Sequence, residues 1–470
     1  MMDTYDVVVI GGGPGGYTAA IRVAQLGGRI VLIEKNKLGG VCNNYGCIPS
    51  KTMLRLADII SSLKTAKNFG VNITKSDIDI KKLVKNRKDL IDKLASGVEI
   101  LLKSNNVKII FGEAYLKEDK SVVVKKEDSA KEVIRAKNII IATGSRPSTH
   151  PIKINSKNVV NSEEFLTSEE LPDDILIIGG GPEGIEFACM LSALGCKVSI
   201  VEMMDRLLPT EDREISHRME KIVLDNHVKI LTRTKVVEIK DDGNYTNTKF
   251  DNGSNLKTKK VLISIGRKPN SENLGLEQLN VKATNGKIIV NDKMETSIKG
   301  IYAIGDVTGG RFAHEAMENG IVAAENAMKL NSSMNQIIPR CIYSIPEVAS
   351  VGLTEEEAKR KYNILVGTFN FKSSGRAMTM GDTNGFVKVI IEKKSRKFIG
   401  IHILADRASD MIGEALLAMK VTADDIIRTV HPHPTLVESI REAVLDAYGR
   451  AIHSLNQNKK HTPKSLKHYV

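Results

Sequence analysis

The sequence contains no tryptophan, and aromatic residues make up only 4% of its 470 residues. No segment alternates lysine or arginine with aromatic residues, so the sequence predicts no surface on which nucleic acid bases could stack. The chain nevertheless carries a net charge of +12, which favours acidic partners of another kind. We therefore expect no nucleic acid partner.

Long apolar runs are also missing. No hydrophobic stretch approaches the roughly 18 residues that a membrane-spanning helix requires, so no membrane association is expected. A strand is predicted from Tyr5, which leaves no room for a targeting peptide before it. The five cysteines are too few for a disulfide scaffold and favour a reducing compartment. We expect a cytoplasmic globular protein with about three domains, at roughly 100–200 residues each.

An internal repeat is the clearest feature that the sequence does contain. Residues 5–34 and 174–202 each read as an apolar strand, a glycine turn, a helix and a second strand that ends in glutamate. The pattern G-x-G-x-x-G is formed by Gly11, Gly13 and Gly16, and 168 residues later by Gly179, Gly181 and Gly184. Such continuous apolar strands are buried on both faces of a parallel sheet. The repeat predicts an α/β fold with two Rossmann-like dinucleotide-binding units.

Each glycine turn is expected to bring a pyrophosphate to the N-terminus of the helix that follows. A tight turn without a ligand would explain one copy, but the same context occurs twice. Glu34 and Glu202 end the second strands, where a carboxylate accepts hydrogen bonds from ribose hydroxyls. A 2′-phosphate would be repelled by Glu202, and no arginine follows it, so NAD is favoured over NADP in the second unit.

The second notable segment is GGVCNNYGCIPSK, residues 39–51. Cys42 and Cys47 could be buried thiols, half of a zinc site or a redox disulfide. Zinc would need a closer pair and two further ligands in a similar cluster, and Cys189 and Cys196 are expected to pack in the second unit; no metal is predicted. Cys42 follows Glu34 by eight residues, so it lies beside the first nucleotide site. FAD in the first unit, NAD in the second and a dithiol against the flavin would form one electron path.

The third segment is HPHPTLVE, residues 431–438. Its prolines hold two histidines in an extended conformation. A helix is predicted from Thr435, with Glu438 completing a capping box. Thiol–disulfide exchange, however, needs a thiolate, and a histidine oriented by a carboxylate would supply the base. Both interpretations of Glu438 remain open at this point.

The segments LGGVCNNYGCIPSK, IYAIGDV, YSIPEVASVGLTEEEA and HPHPTLVE, with the paired glycine motifs, closely resemble the dihydrolipoamide dehydrogenase family of FAD-dependent pyridine nucleotide-disulfide oxidoreductases. The resemblance covers essentially the whole chain, from about Tyr5 to Tyr448. It implies a homodimer that oxidises protein-bound dihydrolipoamide with NAD⁺, as part of 2-oxoacid dehydrogenase or glycine cleavage complexes.

The resemblance also implies roles for individual residues. Cys42 would exchange with substrate and Cys47 would stack on the flavin, while His433, oriented by Glu438, would reach the disulfide of the other subunit as the base. The residues expected at FAD are Gly11, Gly13, Gly16, Glu34, Lys51, Ala114, Thr143, Gly144, Asp306 and Ala313. The residues expected at NAD are Gly179, Gly181, Gly184, Glu186, Glu202, Val236 and Gly266, with Glu186 paired to Lys51.

Two positions depart from the family pattern, because Asn43 and the pair Pro182-Glu183 replace residues that are usually apolar. Related reductases of glutathione-like disulfides are disfavoured by the segments CIPSK and HPHPTL. Mercuric ion reductases are disfavoured because no cysteine follows Cys341. A non-catalytic flavin scaffold that organises a multienzyme complex would not need Cys42, Cys47 and His433.

Domain boundaries follow from these segments. We predict an FAD-binding domain with the disulfide at 1–145, an NAD-binding domain at 146–270, and a central domain completing the FAD site at 271–338. An α+β interface domain is predicted at 339–455 and a basic tail at 456–470. Three antiparallel strands are predicted from the segments between 359 and 404, and helices at Ser409–Lys420 and Thr435–Tyr448.

Overall fold

A computed structural model describes residues 4–74, 77–149 and 156–454 of the chain. The predicted basic tail at 456–470 lies outside the described residues. Within the described ranges, no helix combines the length and apolar character needed to cross a bilayer.

The first unit is a sheet of parallel strands extended on one side by an antiparallel hairpin. Its strands are β1 (Thr4–Ile10), β2 (Ile30–Glu34), β3 (Lys108–Phe111), β4 (Glu113–Leu116), β5 (Val122–Lys125), β6 (Lys131–Ile141) and β7 (Ser145–Pro147), and its helices are α1 (Pro14–Gln25), α2 (Gly40–Asn44), α3 (Cys47–Thr65) and α4 (Ile80–Ser104). The strand order is β3-β2-β1-β6-β5-β4. β1 lies between β2 and β6 and is parallel to both, as the buried apolar runs predict.

The second unit repeats this plan. Its strands are β8 (Val159–Asn161), β9 (Asp174–Ile178), β10 (Lys197–Val201), β11 (Lys229–Leu231), β12 (Val236–Asp241), β13 (Thr246–Phe250), β14 (Asn255–Thr258), β15 (Lys260–Ile263) and β16 (Arg267–Pro269), and its helices are α5 (Ser162–Thr167), α6 (Pro182–Ala193) and α7 (Arg213–Asp225). A parallel sheet has the order β11-β10-β9-β15-β8, and β12, β13 and β14 form a separate antiparallel sheet. β16 pairs with β7 and so links the two units.

Residues 271–338 return the chain to the first unit. They contain β17 (Ala283–Thr284), β18 (Lys287–Ile288), β19 (Ile301–Ala303) and α8 (Ala313–Ala327). β19 adds to the first sheet beside β6, in parallel. α8 packs on α1 so closely that a side chain at Gly320 would collide with the carbonyl oxygen of Gly15.

The last unit is an antiparallel sheet covered by helices. It contains β20 (Arg340–Ile342), β21 (Glu347–Gly352), β22 (Ile364–Asn370), β23 (Phe386–Glu392) and β24 (Phe398–Ala405), with α9 (Glu355–Lys361), α10 (Gly375–Met380), α11 (Ala408–Ala418), α12 (Ala423–Arg428) and α13 (Glu438–Ala447). The strand order is β20-β21-β24-β23-β22. The mixed α/β fold class expected from the sequence is confirmed.

Several predicted element boundaries were wrong. Residues 359–361, which the sequence predicts to begin a strand, instead end α9, whose capping box joins Thr354 and Glu357. Gly144 separates β6 from β7 and Gly266 separates β15 from β16, with φ angles of +67° and +105° that favour glycine.

Candidate active site

The cysteine pair lies between two helices of the first unit. Cys42 belongs to α2, Cys47 is the first residue of α3, and a disulfide joins them. Asn43, where an apolar residue was expected, is buried and donates from Nδ2 to the carbonyl oxygen of Ile91 at 3.2 Å. The amide therefore ties α2 to α4, and the unusual residue is accommodated by a hydrogen bond.

A cavity of about 1100 Å³ runs from the first glycine turn to the disulfide. All ten residues expected at FAD line it, and so do both cysteines. The volume suits a dinucleotide, since pockets for drug-sized ligands span roughly 300–1,000 Å³. The residues that the sequence predicts for FAD, although far apart in the chain, therefore line a single cavity.

The glycine turn at the end of the cavity is built to receive a phosphate. No side chain caps the N-terminus of α1, whereas side chains cap α4, α5, α7, α9 and α10. Gly11 has φ +109°, and a side chain there would collide with the carbonyl oxygen of Ala142. The backbone amides of α1 are therefore open to an anionic group, which is the fit that an FAD pyrophosphate requires.

Glu34 is held in place by the turn that it faces. Its Oε2 accepts from the backbone amide of Gly12 at 2.7 Å, and its Oε1 accepts from that of Asn36 at 2.7 Å. Each carboxylate oxygen has a second acceptor site. The side chain can therefore accept from ribose hydroxyls in a fixed orientation.

The second unit reproduces these bonds. Glu202 accepts from the amides of Gly180 at 2.7 Å and Met204 at 2.8 Å, and α6 also lacks a side-chain cap. Gly179 has φ +112°, and its Cβ would collide with the carbonyl oxygen of Ser264. The second dinucleotide turn therefore has the same construction as the first.

The residues expected at NAD are divided by the structure. Glu186 lines the large cavity, while the other six members of that set lie outside its wall. Gly179, Gly181, Gly184 and Glu202 form the second glycine turn, Gly266 follows β15, and Val236 begins β12, where it packs against the core of the second unit. Glu186 is thus the point at which the two sets meet.

Lys51 and Glu186 connect the two units. Lys51 Nζ lies 2.8 Å from Glu186 Oε2, while Glu186 Oε1 accepts from the backbone amide of Tyr343 at 2.8 Å. The Lys51 ammonium also lies 4.3 Å from the centre of the Tyr343 ring. The expected pairing of Lys51 with Glu186 is therefore present, and β20 and the residues after it contribute to the same contact.

Cys341 and Tyr343 also line the cavity, although no sequence pattern predicted them there. Burial raises the pKa of the Cys341 thiol to about 11 and the pKa of Tyr343 to about 12. Both side chains therefore stay neutral at physiological pH. The sequence signal nearest to them is the segment YSIPEVASVG, which begins at Tyr343 and follows Cys341 by two residues.

Asp306 also lines the cavity and lies in a 3₁₀ turn after β19. It accepts from Ser145 Oγ at 2.5 Å, and Arg267 Nε donates to the same hydroxyl at 2.8 Å. Thr143 donates from Oγ1 to the carbonyl oxygen of Asn270 at 2.7 Å. These bonds join the wall of the first unit to the segment that leaves the second.

The HPHP segment presents its two histidines differently. His431 Nε2 lies 2.6 Å from Glu414 Oε1, and this bond raises the pKa of His431. His433 has a side chain that is 75% exposed, and its Nδ1 lies 2.9 Å from Glu438 Oε2. Of the described residues that line the large cavity, none is His433 or Glu438. The disulfide and the histidine are therefore apart within one chain.

Glu438 makes the contacts that both interpretations require. Its Oε1 accepts from the backbone amide of Thr435 at 3.2 Å, and its own amide donates to Thr435 Oγ1 at 3.4 Å. Its Oε2 remains for His433. The predicted helix start at Thr435 was wrong, since α13 begins at Glu438, but the reciprocal bonds of the capping box are present.

Comparison with known proteins decides the family. Residues 5–328 match the model of pyridine nucleotide-disulphide oxidoreductases, and residues 338–444 match the dimerisation domain of that family. The chain belongs to the pyridine nucleotide-disulphide oxidoreductase family. Dihydrolipoyl dehydrogenase of Bacillus subtilis is 41% identical over 96% of this chain and 100% of its own length. Dihydrolipoyl dehydrogenase of Thermus scotoductus is 41% identical over 97% of this chain and 100% of its own length.

Solved structures of this oxidoreductase family share the fold. LpdA from Mycobacterium tuberculosis superposes with a TM-score of 0.88 at 24% identity, covering 93% of this chain and 98% of that one. The HOCl-induced flavoprotein disulfide reductase RclA from Escherichia coli superposes with a TM-score of 0.84 at 27% identity. The match covers 93% of this chain and 99% of that one. Oxidoreductases of this type use FAD and NAD(H), which agrees with the two dinucleotide turns.

Proposed function

We propose that the protein oxidises protein-bound dihydrolipoamide to lipoamide with NAD⁺, as the dehydrogenase component of a 2-oxoacid dehydrogenase or glycine cleavage complex. The observation that carries this proposal is the Cys42–Cys47 disulfide at the end of the cavity built for FAD. The name of the full-length relatives, dihydrolipoyl dehydrogenase, supports the same substrate.

The two cysteines have separate tasks. A substrate thiolate attacks Cys42 Sγ, the Cys42–Cys47 bond breaks, and Cys47 leaves as a thiolate. The second substrate thiol then displaces Cys42, which takes up the proton of that thiol, and lipoamide closes. Both electrons remain on the cysteine pair, as the Cys42 thiol and the Cys47 thiolate. Cys47 suits the role of the retained thiolate because it begins the 19-residue helix α3, whose N-terminus stabilises negative charge. Bound FAD supplies the two-electron chemistry between this pair and NAD⁺.

His433 supplies the base for the substrate thiol. A carboxylate only accepts hydrogen bonds, so the Glu438 contact places the proton of neutral His433 on Nδ1 and leaves Nε2 free to accept another. Glu438 is itself fixed by Thr435, so the imidazole is oriented through a short chain of bonds. The proton taken from the dithiol resides on Nε2 until it is released.

A homodimer completes the site. His433 is exposed and lies outside the cavity wall of its own chain, and the chain contains the dimerisation domain of its family. His433 of the partner subunit therefore faces Cys42, and each dimer has two sites. Lys51 and Glu186 hold the cysteine helix against the second unit, where NAD binds. We assign the protein to the cytoplasm, where a separate lipoyl-bearing protein delivers the substrate.

A steady-state assay of the FAD-loaded protein tests the proposal. Free dihydrolipoamide and reduced glutathione are each supplied with NAD⁺ or NADP⁺, and formation of reduced nicotinamide is followed at 340 nm. We expect sustained turnover only with dihydrolipoamide and NAD⁺. Comparable turnover of glutathione, or no turnover of dihydrolipoamide, would contradict the proposal.

A further inference from the structure

Glu183 lies in the second glycine turn, where its side chain has no counterpart in the first turn. The shift of 168 residues aligns Pro182 with Pro14 and Glu183 with Gly15. A side chain at Gly15 would come within 2.8 Å of the carbonyl oxygen of Ala316, so α8 excludes one there. A dinucleotide turn of this kind therefore does not need a carboxylate at this position, and Glu183 is a feature of the second unit alone.

The carboxylate of Glu183 is directed toward the place where the two dinucleotide sites meet. It lies in the first turn of α6 and lines the same cavity as Lys51 and Glu186. Its Oε2 accepts from Ser264 Oγ at 2.8 Å, just after β15 ends. The hydrogen bond holds the side chain at the carboxyl end of the second sheet, the edge at which such folds bind their ligands.

The charge of Glu183 is not neutralised by a neighbour. Lys51 pairs with Glu186, and Arg267, which also lines the cavity, pairs with Glu163 at 2.8 Å. Among the described residues, no lysine or arginine forms an ion pair with Glu183. Glu183 therefore brings a carboxylate without an ion-pair partner among the described residues to the cavity.

We propose, building on the function proposed above, that Glu183 makes the site select the oxidised, positively charged nicotinamide over the neutral reduced ring. NAD⁺ and NADH share every group except the nicotinamide, whose ring loses its positive charge on reduction. A fixed carboxylate attracts the charged ring and not the neutral one. The site thereby holds its substrate NAD⁺ and releases its product NADH. Repulsion of the pyrophosphate by the same charge would affect both forms equally.

Binding to the oxidised, FAD-loaded dimer tests this selection without turnover. The probes are NAD⁺, 1,4,5,6-tetrahydro-NAD, whose ring is neutral and donates no hydride, and ADP-ribose, which lacks the nicotinamide. The variant Glu183→Gln keeps an acceptor for Ser264 and removes the charge. Ser264→Ala keeps the charge but removes the hydrogen bond that holds it, and Glu118→Gln removes an exposed charge elsewhere on the surface.

We expect Glu183→Gln to lower the preference for NAD⁺ over tetrahydro-NAD by about tenfold, which is about 1.4 kcal/mol. Its affinity for ADP-ribose should stay within about twofold, and Glu118→Gln should retain the full preference. Ser264→Ala should lower the preference by less than Glu183→Gln does, because the charge remains but is held less firmly. An unchanged preference in Glu183→Gln, or an equal gain in binding affinity for all three probes, would overturn the role proposed for Glu183. Neither result would affect the proposed function. Failure of the unmodified protein to bind NAD⁺ would overturn the proposed function as well.

Discussion

His433 Nδ1 lies 2.9 Å from one oxygen of Glu438, while the other oxygen of that carboxylate accepts from the backbone amide of Thr435. One side chain therefore serves both the local backbone and the exposed imidazole. The capping bonds hold Glu438 in position, and the orientation of His433 follows from that position.

Replacing His433 tests the base and its placement across the dimer. His433→Gln should reduce dihydrolipoamide turnover by roughly 10²–10⁴-fold, the usual contribution of a proton-transfer catalyst. Reduction of an artificial acceptor by NADH needs no thiol base and should persist. Mixed dimers of His433→Gln and Cys42→Ser chains should regain activity, since they contain one complete site. Inactive mixtures with proven subunit exchange would refute the placement across the interface.

Glu438→Gln should change the tautomer of His433. If the amide oxygen keeps the bond to Thr435, the NH₂ group donates to His433 Nδ1 and moves the imidazole proton to Nε2. We expect turnover to fall by roughly 10²–10⁴-fold while the urea midpoint changes little. Thr435→Ala is the matched control, which should cost about 1 kcal/mol of stability and retain most turnover. Turnover within threefold of normal in Glu438→Gln would contradict the orienting role.

Cys42→Ser should abolish dihydrolipoamide oxidation and leave FAD bound, because the substitution removes the exchanging sulfur and not the dinucleotide turn. The remaining Cys47 thiolate should produce a long-wavelength absorption band beside the oxidised flavin, and Cys47→Ser should lack it. Cys196→Ser changes a thiol outside the cavity and should behave as the unmodified protein. A band in Cys47→Ser instead would reverse the two assignments.

Coenzyme selection should depend on Glu202. A 2′-phosphate there meets like charge, which costs several kcal/mol, so kcat/KM should favour NAD⁺ over NADP⁺ by about 100-fold. Met204 lies two residues after Glu202, and its side chain is exposed. Met204→Arg should lower the ratio of kcat/KM for NAD⁺ to kcat/KM for NADP⁺, whereas Met204→Gln should leave this ratio unchanged. Equal use of both coenzymes by the unmodified protein would show that Glu202 does not select.

Acid should destabilise the fold through His402. Burial lowers the pKa of His402 below its ordinary 6.5, with Asp212 opposing the shift. The unfolded chain then binds more protons than the folded one, so stability falls as pH drops through about 6.5. The urea midpoint should decrease from pH 7.5 to 5.5 by less in His402→Gln than in the unmodified protein or in exposed His217→Gln. Equal decreases would exclude this contribution.

Sequence patterns predicted the features that depend on short chain segments. Each glycine turn is followed by its glutamate, Glu34 or Glu202, within a few dozen residues of the chain. His433 and Glu438 are closer still in the sequence. The disulfide could be proposed because Cys42 and Cys47 share one segment. Local spacing was sufficient in each case because the backbone geometry between the residues is set by a single turn or helix.

Contacts between distant segments could not be predicted in this way. Lys388 lies in an alternating strand, where a charged residue predicts exposure, yet it is 4% exposed and bonds Asp212 at 2.8 Å and Glu355 at 2.6 Å. α7 and α9 cover that face of the sheet, which no pattern within β23 reveals. The bonds of Glu414 to His431 and of Ser264 to Glu183 were missed for the same reason.

The return of residues 301–327 to the first unit limits how the chain can be recombined with its relatives. β19 pairs with β6, and α8 meets α1 backbone to backbone at Gly15 and Gly320. The parallel sheet of the second unit, by contrast, is built from residues 159–263 without interruption. That unit can be exchanged as one cassette, whereas a chimera that replaces the first unit must bring two separate segments from the same donor.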